Sequence, residues 1–425
     1  MRQVFPPLLS ASTLAGAAAG EHPCAFAMRR AVELAERGRF ATCPNPTVGA
    51  VLMREGRIVA EGWHRACGEA HAEINCLEDA RRQGIDPATC TLVVTLEPCN
   101  HHGKTPPCAQ AVYAAGIKHV VVGLRDPNPT AAGGGEYLAA RGVTVEYGVE
   151  EVACRDLVAD FLRWITTDQP YVILKLAATL DGKIATRTGH SHWVSSAASR
   201  QSVHALRAGM GRAGGAVLVG GGTFRADNPR LTARDTGQEA DIPQPLACVL
   251  TSRLPAPGGE CRLLRERPQE TLFIATPAAA ASPAALALRE QGVRVWSFAA
   301  GNTTRGQDFS ELLRRMRAEL GCHYVLCEGG GRLALALLEG GAVDEFRLHL
   351  APGIMGDNEA IPLFQGRSPL AMSEVLPLRI SGVGLCGGDM HLTLRPVGDR
   401  AGEGAGDKTN DGANGGAGDG PAYPQ

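Results

Sequence analysis

The sequence predicts two successive α/β domains followed by a tail that has no core. The chain has 425 residues, 44% of them apolar, more than one core of roughly 100 to 200 residues accommodates. Apolar runs of strand length alternate with stretches of helical periodicity, the mark of a sheet layered with helices. The pattern halts at Asp168-Gln169-Pro170 and then starts afresh. The expected division is therefore an N-terminal extension over 1–24, a first domain over 25–168, a second over 169–398 and a tail over 399–425.

Helical spacing over 25–37 runs into Pro44-Asn45-Pro46, which breaks the chain ahead of a strand at 48–53. Glu55-Gly56 turns it back into a second strand at 58–61. Helices are predicted at 71–83, 107–115 and 136–141, alternating with strands at 91–96, 119–123 and 144–147, and one helix over 151–164 bridges the domains. The second domain opens with a strand at 172–177 and continues with strands at 216–219, 246–250, 271–275, 293–296, 323–327 and 345–351, with helices between several of them. Residues 399–425 contain no Val, Ile, Leu, Met, Phe or Trp. Such a segment does not offset its ordering entropy and is predicted to be disordered.

Lys plus Arg is 42 against 44 Asp plus Glu, so the net charge of −2 supplies no field for a polyanion. No apolar run approaches the ~20 residues of a membrane span. Residues 8–19 follow a single Arg2 and match a signal peptide poorly. Thirteen scattered cysteines, an odd number, suit the thiols of a reducing cytoplasm, most of them packing residues. The expectation is a cytoplasmic protein with neither nucleic-acid nor membrane partner. Arg outnumbers Lys 37 to 5, which makes Lys104, Lys118, Lys175, Lys183 and Lys408 worth locating.

His71-Ala72-Glu73 opens a predicted helix, a strand then delivers Glu97-Pro98-Cys99, and Cys108 starts another helix. One imidazole and two thiolates suit Zn²⁺ and leave the fourth tetrahedral position open to water, the arrangement of catalytic sites. Helix starts lower thiol pKa and favour the ligand form. Glu73 lies close enough to take a proton from that water and return it to a leaving group. Cys67 and Cys76 lack the Pro-Cys context and are read as packing residues. In the second domain the run to Cys327 enters Glu328-Gly329-Gly330-Gly331 ahead of a helix. Glycines there let backbone amides approach a pyrophosphate, although alone the run suits a tight turn as well as a dinucleotide site.

The segment TLEPCNHHGKTPPC, with PNPTVGAVL upstream, GEAHAE between and LRDPNPTAAGGG downstream, resembles the bifunctional riboflavin-biosynthesis deaminase/reductase family of RibD type. KLAATLDGKIA, GHSHWVSS, GTFRADNPRLTAR and VLCEGGGRLALALLEGGAVDEF follow its reductase half in order, and only the two termini fall outside. The resemblance implies a cytidine-deaminase-like three-layer α/β/α domain followed by a dihydrofolate-reductase-like α/β domain. It implies hydrolytic deamination of a phosphoribosylamino diaminopyrimidinone to the uracil, then NADPH-dependent reduction of the ribosyl group to ribityl. It places zinc on His71, Cys99 and Cys108, the proton shuttle on Glu73, and deaminase substrate contacts at Asn45, His64, His101 and Lys104. NADPH contacts fall on Ala177, Trp193, Thr223, Asp227, Gly330, Gly331, Arg332, Leu333, Ala334, Leu335 and Ala336. Reductase substrate contacts fall on Ser191, Arg207, Leu231, Arg234 and Glu328.

Some of these placements have a physical reason beside the resemblance. His101 and Lys104 put cationic donors on the loop that frames the zinc, and the forks of Arg207 and Arg234 match phosphate oxygens. Lys175 sits among apolar residues of the first strand, so its ammonium is expected to face a pocket and, with Asp227, to assist ring opening. Between Arg207 and Thr223 the segment AGMGRAGGAVLVGGG is longer than the resemblance leads one to expect, so a bulge is predicted after that helix. Small-molecule partners and a homo-oligomer complete the reading. Two alternatives stand beside it. One is a nucleoside or nucleic-acid deaminase fused to an unrelated reductase, which the charge balance opposes. The other is a monofunctional deaminase with a non-catalytic nucleotide-binding second domain.

Overall fold

Residues 9–10, 21–101, 107–191, 194–234, 242–256, 259–302 and 307–397 are described by the computed structural model. Strand Gly49–Arg54 (β1) sends Val51 and Met53 to one face and Ala50 and Leu52 to the other, all of them buried. A strand apolar on both faces needs a layer on each. Helix Ala25–Ala35 (α1) supplies one layer with Ala27, Met28, Ala31 and Leu34. Helices Ala72–Arg82 (α2), Cys108–Ala114 (α3) and Gly134–Ala139 (α4) supply the other with Ala72, Cys76, Ala109, Val112 and Leu138. With Arg57–Trp63 (β2), Thr91–Leu96 (β3), His119–Leu124 (β4) and Thr144–Tyr147 (β5), β1 forms a five-stranded sheet of order β2-β1-β3-β4-β5. β1 is antiparallel to both neighbours, and β3, β4 and β5 run parallel.

The bridge expected as one helix is two, Glu151–Leu157 (α5) and Ala159–Thr166 (α6), interrupted at Val158 with φ −103° and ψ 18°. The break serves two cores. α5 buries Cys154 and Leu157 in the first core, whereas α6 divides, Phe161 and Leu162 facing the first core, Ala159 the second, and Trp164 both. Trp164 Nε1 donates to the His323 carbonyl at 2.9 Å.

The second sheet has ten strands. Its parallel body contains Tyr171–Thr179 (β6), Ala216–Gly220 (β7), Leu246–Thr251 (β8), Thr271–Ala275 (β9), Arg294–Ser297 (β10), Tyr324–Cys327 (β11) and Glu345–Ala351 (β12). Leu378–Cys386 (β13) and Asp389–Pro396 (β14) add an antiparallel hairpin beside β12, and Leu9–Ser10 pairs antiparallel with β13 at the edge. The spatial order from that edge is Leu9–Ser10, β13, β14, β12, β6, β11, β7, β8, β9, β10. Helix Ala197–Arg212 (α7) packs Leu206 and Met210 on the face carrying Tyr171, Ile173 and Leu326. Ser310–Leu320 (α9) and Gly331–Glu339 (α10) cover the opposite face, and the short helix Gly221–Asp227 (α8) follows β7.

Two expectations change here. No strand was foreseen after residue 351, because β13 is interrupted by glycines and β14 buries His391, Thr393 and Arg395 where an apolar face is normally sought. The bulge expected after Arg207 is also absent. α7 continues unbroken to Arg212, and only Ala213-Gly214-Gly215 precedes β7, with Gly214 at φ 65°. Nine of the thirteen cysteines are buried, but Cys67 is exposed and so is not the packing residue it was taken for. The expected disordered tail and most of the N-terminal extension lie outside the described residues.

The units meet through a shared core and a buried ionic knot. Phe40 inserts beside Tyr324, ring centroids 5.1 Å apart, and joins the core under α7. Arg39 Nη2 donates to Glu345 Oε2 at 2.6 Å, and Glu345, 0% exposed, also accepts from Arg347 Nε at 2.6 Å and from the Tyr171 hydroxyl at 3.1 Å. Across the same boundary the Tyr324 hydroxyl donates to the Asp160 carboxylate. Among the described residues no helix is long and apolar enough to cross a membrane.

Candidate functional site

The first pocket forms where β3 ends and α2 and α3 begin. His71 is the extended N-cap residue of α2, and Cys108 is the first residue of α3. Cys99 differs from expectation: it lies in the loop after β3, not at a helix start. Glu97 holds that loop, its carboxylate accepting from the amides of Gly135 at 2.9 Å and Asp126 at 3.1 Å. Gly134 is required beside it, because a Cβ there would lie 1.8 Å from the Pro98 carbonyl oxygen.

His71 Nδ1 is 3.3 Å from Cys108 Sγ and 3.7 Å from Cys99 Sγ, and the three ligand atoms all lie within 4.8 Å of one another. Tetrahedral Zn²⁺ with its usual bond lengths separates nitrogen from sulfur by about 3.6 Å. The donor set and spacing therefore fit zinc, and this is the one such cluster among the described residues. The hydrogen bond from the Cys108 thiol, with His71 beside it, holds the Cys99 thiol low, at about 4. Glu73, 3% exposed in the first turn of α2, is pushed up to about 7 by burial, against the pull of His71. A carboxyl near neutrality beside an open metal position can both take and give a proton.

The expected substrate contacts distribute unevenly around this centre. His64 is buried, its ring edge-on to His71 at 5.2 Å; Nδ1 donates to the Ala70 carbonyl at 3.1 Å, and Nε2 is buried without a partner. Asn45 is half-buried on its turn, its amide donating to the Thr42 carbonyl at 2.7 Å. His101 is exposed at the rim, and Lys104 lies outside the described residues. Sequence reasoning assigned no role to Asp126, whose carboxyl is pushed up to about 6 by burial and by the nearby Glu97 and Cys99, with His101 opposing. The signal was the acidic residue inside LRDPNP.

The second pocket lies at the carboxyl ends of β6, β11 and β7, where open α/β sheets bind their ligands. Lys175 on β6 is 9% exposed, and burial pushes its ammonium down to about 8 although Glu328 opposes. Arg207 on α7 grips Glu328 with two bonds, Nε to Oε1 at 2.8 Å and Nη2 to Oε2 at 2.6 Å, and its Nη1 donates to the Thr232 carbonyl. Burial alone would raise the Glu328 carboxyl, but Arg207 and Lys175 hold it below its ordinary value. Sequence reasoning treated Arg207 as a phosphate fork; in this state its fork is engaged by Glu328.

The glycine run is a built cradle. The Gly330 amide donates to Thr223 Oγ1 at 3.0 Å, which ties α8 to the start of α10. A Cβ at Gly331 would lie 2.3 Å from the Leu363 carbonyl oxygen, so no other residue fits. Gly330, Gly331, Arg332, Leu333, Ala334, Leu335 and Ala336 form the cap and first turns of α10, whose orphan amides suit a phosphate. Ala177 is half-buried on β6, Ser191 and Arg234 are exposed, and Trp193 lies outside the described residues. The Leu231 side chain is buried in the core. The charges acting on Lys175 are Glu328, Arg207 and Asp389. Asp227 is exposed at the end of α8, and Glu328 is the carboxylate that acts on Lys175 most strongly.

Two family models match separate parts of the chain. Residues 24–124 match the family model described as the cytidine and deoxycytidylate deaminase zinc-binding region, and residues 170–392 match the RibD C-terminal domain. The riboflavin biosynthesis protein RibD of Aquifex aeolicus is 39% identical over 335 residues, covering 79% of this chain and 88% of that protein. Its counterpart in Escherichia coli is 36% identical over 347 residues, covering 78% and 89%. The solved structure of Acinetobacter baumannii RibD, form 1, superposes with a TM-score of 0.65 at 33% identity, covering 88% of this chain and 99% of that one. A Thermotoga maritima structure described as a diaminohydroxyphosphoribosylaminopyrimidine deaminase/5-amino-6-(5-phosphoribosylamino)uracil reductase gives the same figures, 0.65, 33%, 88% and 99%.

Proposed function

The chain belongs to the RibD family of riboflavin biosynthesis proteins, and from that premise we propose how its two pockets divide the work. The protein is a bifunctional enzyme: a deaminase acting on the phosphoribosylamino diaminopyrimidinone, joined to a reductase that turns the ribosyl group of the deaminated product into ribityl. A monofunctional deaminase is not favoured, since the match to the reductase half is as complete as the match to the first. We place the division between the domains at residues 168–169.

His71, Cys99 and Cys108 hold Zn²⁺, which when bound supplies Lewis acidity to an attacking water. Glu73, with its carboxyl near neutrality, takes the proton from that water and delivers it to the departing exocyclic amine, so ammonia leaves neutral. His64 presents its unpartnered Nε2 to the substrate, while Asn45, His101 and Lys104 read the polar rim. The observation that carries this half is the ligand triangle with a buried carboxyl two residues from its imidazole.

In the second pocket the run Gly330 through Ala336, with the orphan amides at the start of α10, and with Ala177, Trp193, Thr223 and Asp227, would hold NADPH, which when bound supplies hydride. Lys175 donates a proton to the opening sugar ring. Glu328 keeps Lys175 charged and orders Arg207, and Ser191, Leu231 and Arg234 complete the substrate contacts. The near-neutral charge and free thiols support a cytoplasmic protein without a nucleic-acid partner; a homo-oligomer is the default for such an enzyme, and light scattering checks its mass. The function is tested by supplying the diaminopyrimidinone substrate with and without NADPH while ammonia and ribityl product are followed. Ammonia release that needs Glu73 but not NADPH, and ribityl product that needs both, is the expected result. Ammonia without any NADPH oxidation would return the chain to a monofunctional deaminase.

A further inference from the structure

The segment between α1 and β1 belongs by sequence to the deaminase but by packing to both units. Among the described residues, none of 36–47 joins either core of the first unit. Phe40 and Cys43 pack instead into the core beneath α7. Phe40 is buried, and its φ of 68° puts a bulky side chain in the left-handed region. An aromatic residue keeps that conformation only where its surroundings over-determine it. α7 does so at Gly209, where a Cβ would lie 2.5 Å from Phe40 Cδ2, so that only glycine lets the ring lie against the helix. Tyr324 meets the same ring in a T-shaped contact.

From Phe40 the chain reaches the zinc pocket through a stiff set of bonds. The amides of Ala41 and Thr42 donate to the Gly38 carbonyl at 3.0 and 3.1 Å, and the Asn45 amide donates to the Thr42 carbonyl at 2.7 Å. The Thr42 and Thr47 hydroxyls, both buried, meet at 3.1 Å and close the turn that carries Asn45. Both ends of this turn are fastened beside His64. The His64 amide donates to the Val48 carbonyl at 2.9 Å, and a Cβ at Gly38 would lie 2.2 Å from the His64 carbonyl oxygen. The Cys67 amide donates to the Ala41 carbonyl at 3.0 Å. His64 in turn stands edge-on against the zinc ligand His71.

We propose that Phe40 is a positioning residue of the deaminase, acting through the turn of Asn45, and that α7 of the reductase unit is the surface that holds it. The inference rests on Asn45 contacting the deaminase substrate as proposed above. Having its apolar contacts in the second unit, the segment depends on that unit for its order. The zinc ligands and Glu73 do not: they lie on α2, on α3 and in the loop after β3. Loss of the anchor therefore weakens substrate binding and leaves proton transfer at Glu73 intact. Kinetically that is a raised KM at unchanged kcat, a division that a general loosening of the fold does not produce.

The test uses the full chain with zinc bound, and deaminase kinetics are read from ammonia release. In Phe40→Ala, KM for the diaminopyrimidinone substrate should rise about tenfold or more, within the ~10² that misplacing a contact by about 1 Å costs, with kcat and zinc content close to wild type. Phe40→Leu, which keeps an apolar side chain against α7, should recover most of the loss. Gly209→Ala approaches from the other side. It alters no residue of the deaminase unit, yet its methyl displaces the ring and should raise the same KM, and it decides the matter if Phe40→Ala does not fold. Asn45→Ala should raise KM by itself, and adding Phe40→Ala to it should cost less than the two losses combined, because both act on one contact. A wild-type KM in Phe40→Ala or Gly209→Ala, additive losses, or kcat and zinc content falling together with substrate affinity overturns the inference. A wild-type KM in Asn45→Ala overturns instead the substrate contact beneath it.

Discussion

The two pockets are assigned similar chemistry in the proposed mechanism, proton transfer to a leaving group, but their constructions are opposite. In the first, His71, Glu73, Cys99 and Cys108 come from a short stretch of chain, three of them at the start of a helix and Cys99 in the loop after a strand. In the second, Lys175 lies on β6, Arg207 on α7 and Glu328 just after β11, spread across the domain. The carboxyl of the first is tuned by burial beside a metal site, upward to about 7, and the ammonium of the second by burial beside a carboxylate, downward to about 8. Burial moves both groups toward neutrality from opposite directions, because it penalises whichever form is charged.

If the pockets are independent, attacks on one should spare the other. Chelation of the metal should abolish ammonia release while NADPH oxidation on deaminated substrate continues, measured on one preparation. Glu73→Gln should lower deaminase kcat by about 10² to 10⁴, the usual worth of a positioned acid-base group, with zinc content and reductase rate unchanged. Loss of both activities in either experiment would break the comparison.

The shared boundary is where independence should fail. Glu345→Gln leaves Arg39, Arg347 and Arg395 facing one another without their buried carboxylate and should destabilise the protein by about 3 to 5 kcal/mol. Calorimetry should then show one lowered transition, or two, in place of a cooperative wild-type melt. The smallest effect is in pH. If Lys175 is the proton donor proposed, its pKa lowered to about 8 means that kcat/KM of the reductase should be full below that pH. Above it, the value should fall by about tenfold per unit, as one ionisation requires. The deaminase should lack this limb, and a shared limb would place its origin elsewhere.

The zinc triangle and Glu73 were legible in the sequence because metal ligation restricts which residue types serve and helix starts restrict where they sit. The glycine cradle was half legible: strand, glycines and helix were plain, but its closure by the Thr223 hydroxyl needed the fold. His391, Thr393 and Arg395 passed unread, since nothing local separates a buried polar residue of β14 from a surface one. That Glu328 comes beside Lys175 was not legible, because it depends on β11 adjoining β6 in the sheet.

By itself the sequence determined two α/β units, the metal ligands with their carboxyl, the glycine turn and the family to which these motifs belong. These are local properties, set by periodicity, by ligand chemistry and by the backbone freedom of glycine. The tertiary structure alone decided that α5 and α6 part at Val158, that Phe40 and Arg39 of the first unit enter the second, and that Arg207 meets Glu328. Each of those depends on which strands become neighbours. Strand order is chosen by the summed burial of whole faces, a quantity that no short stretch of residues carries.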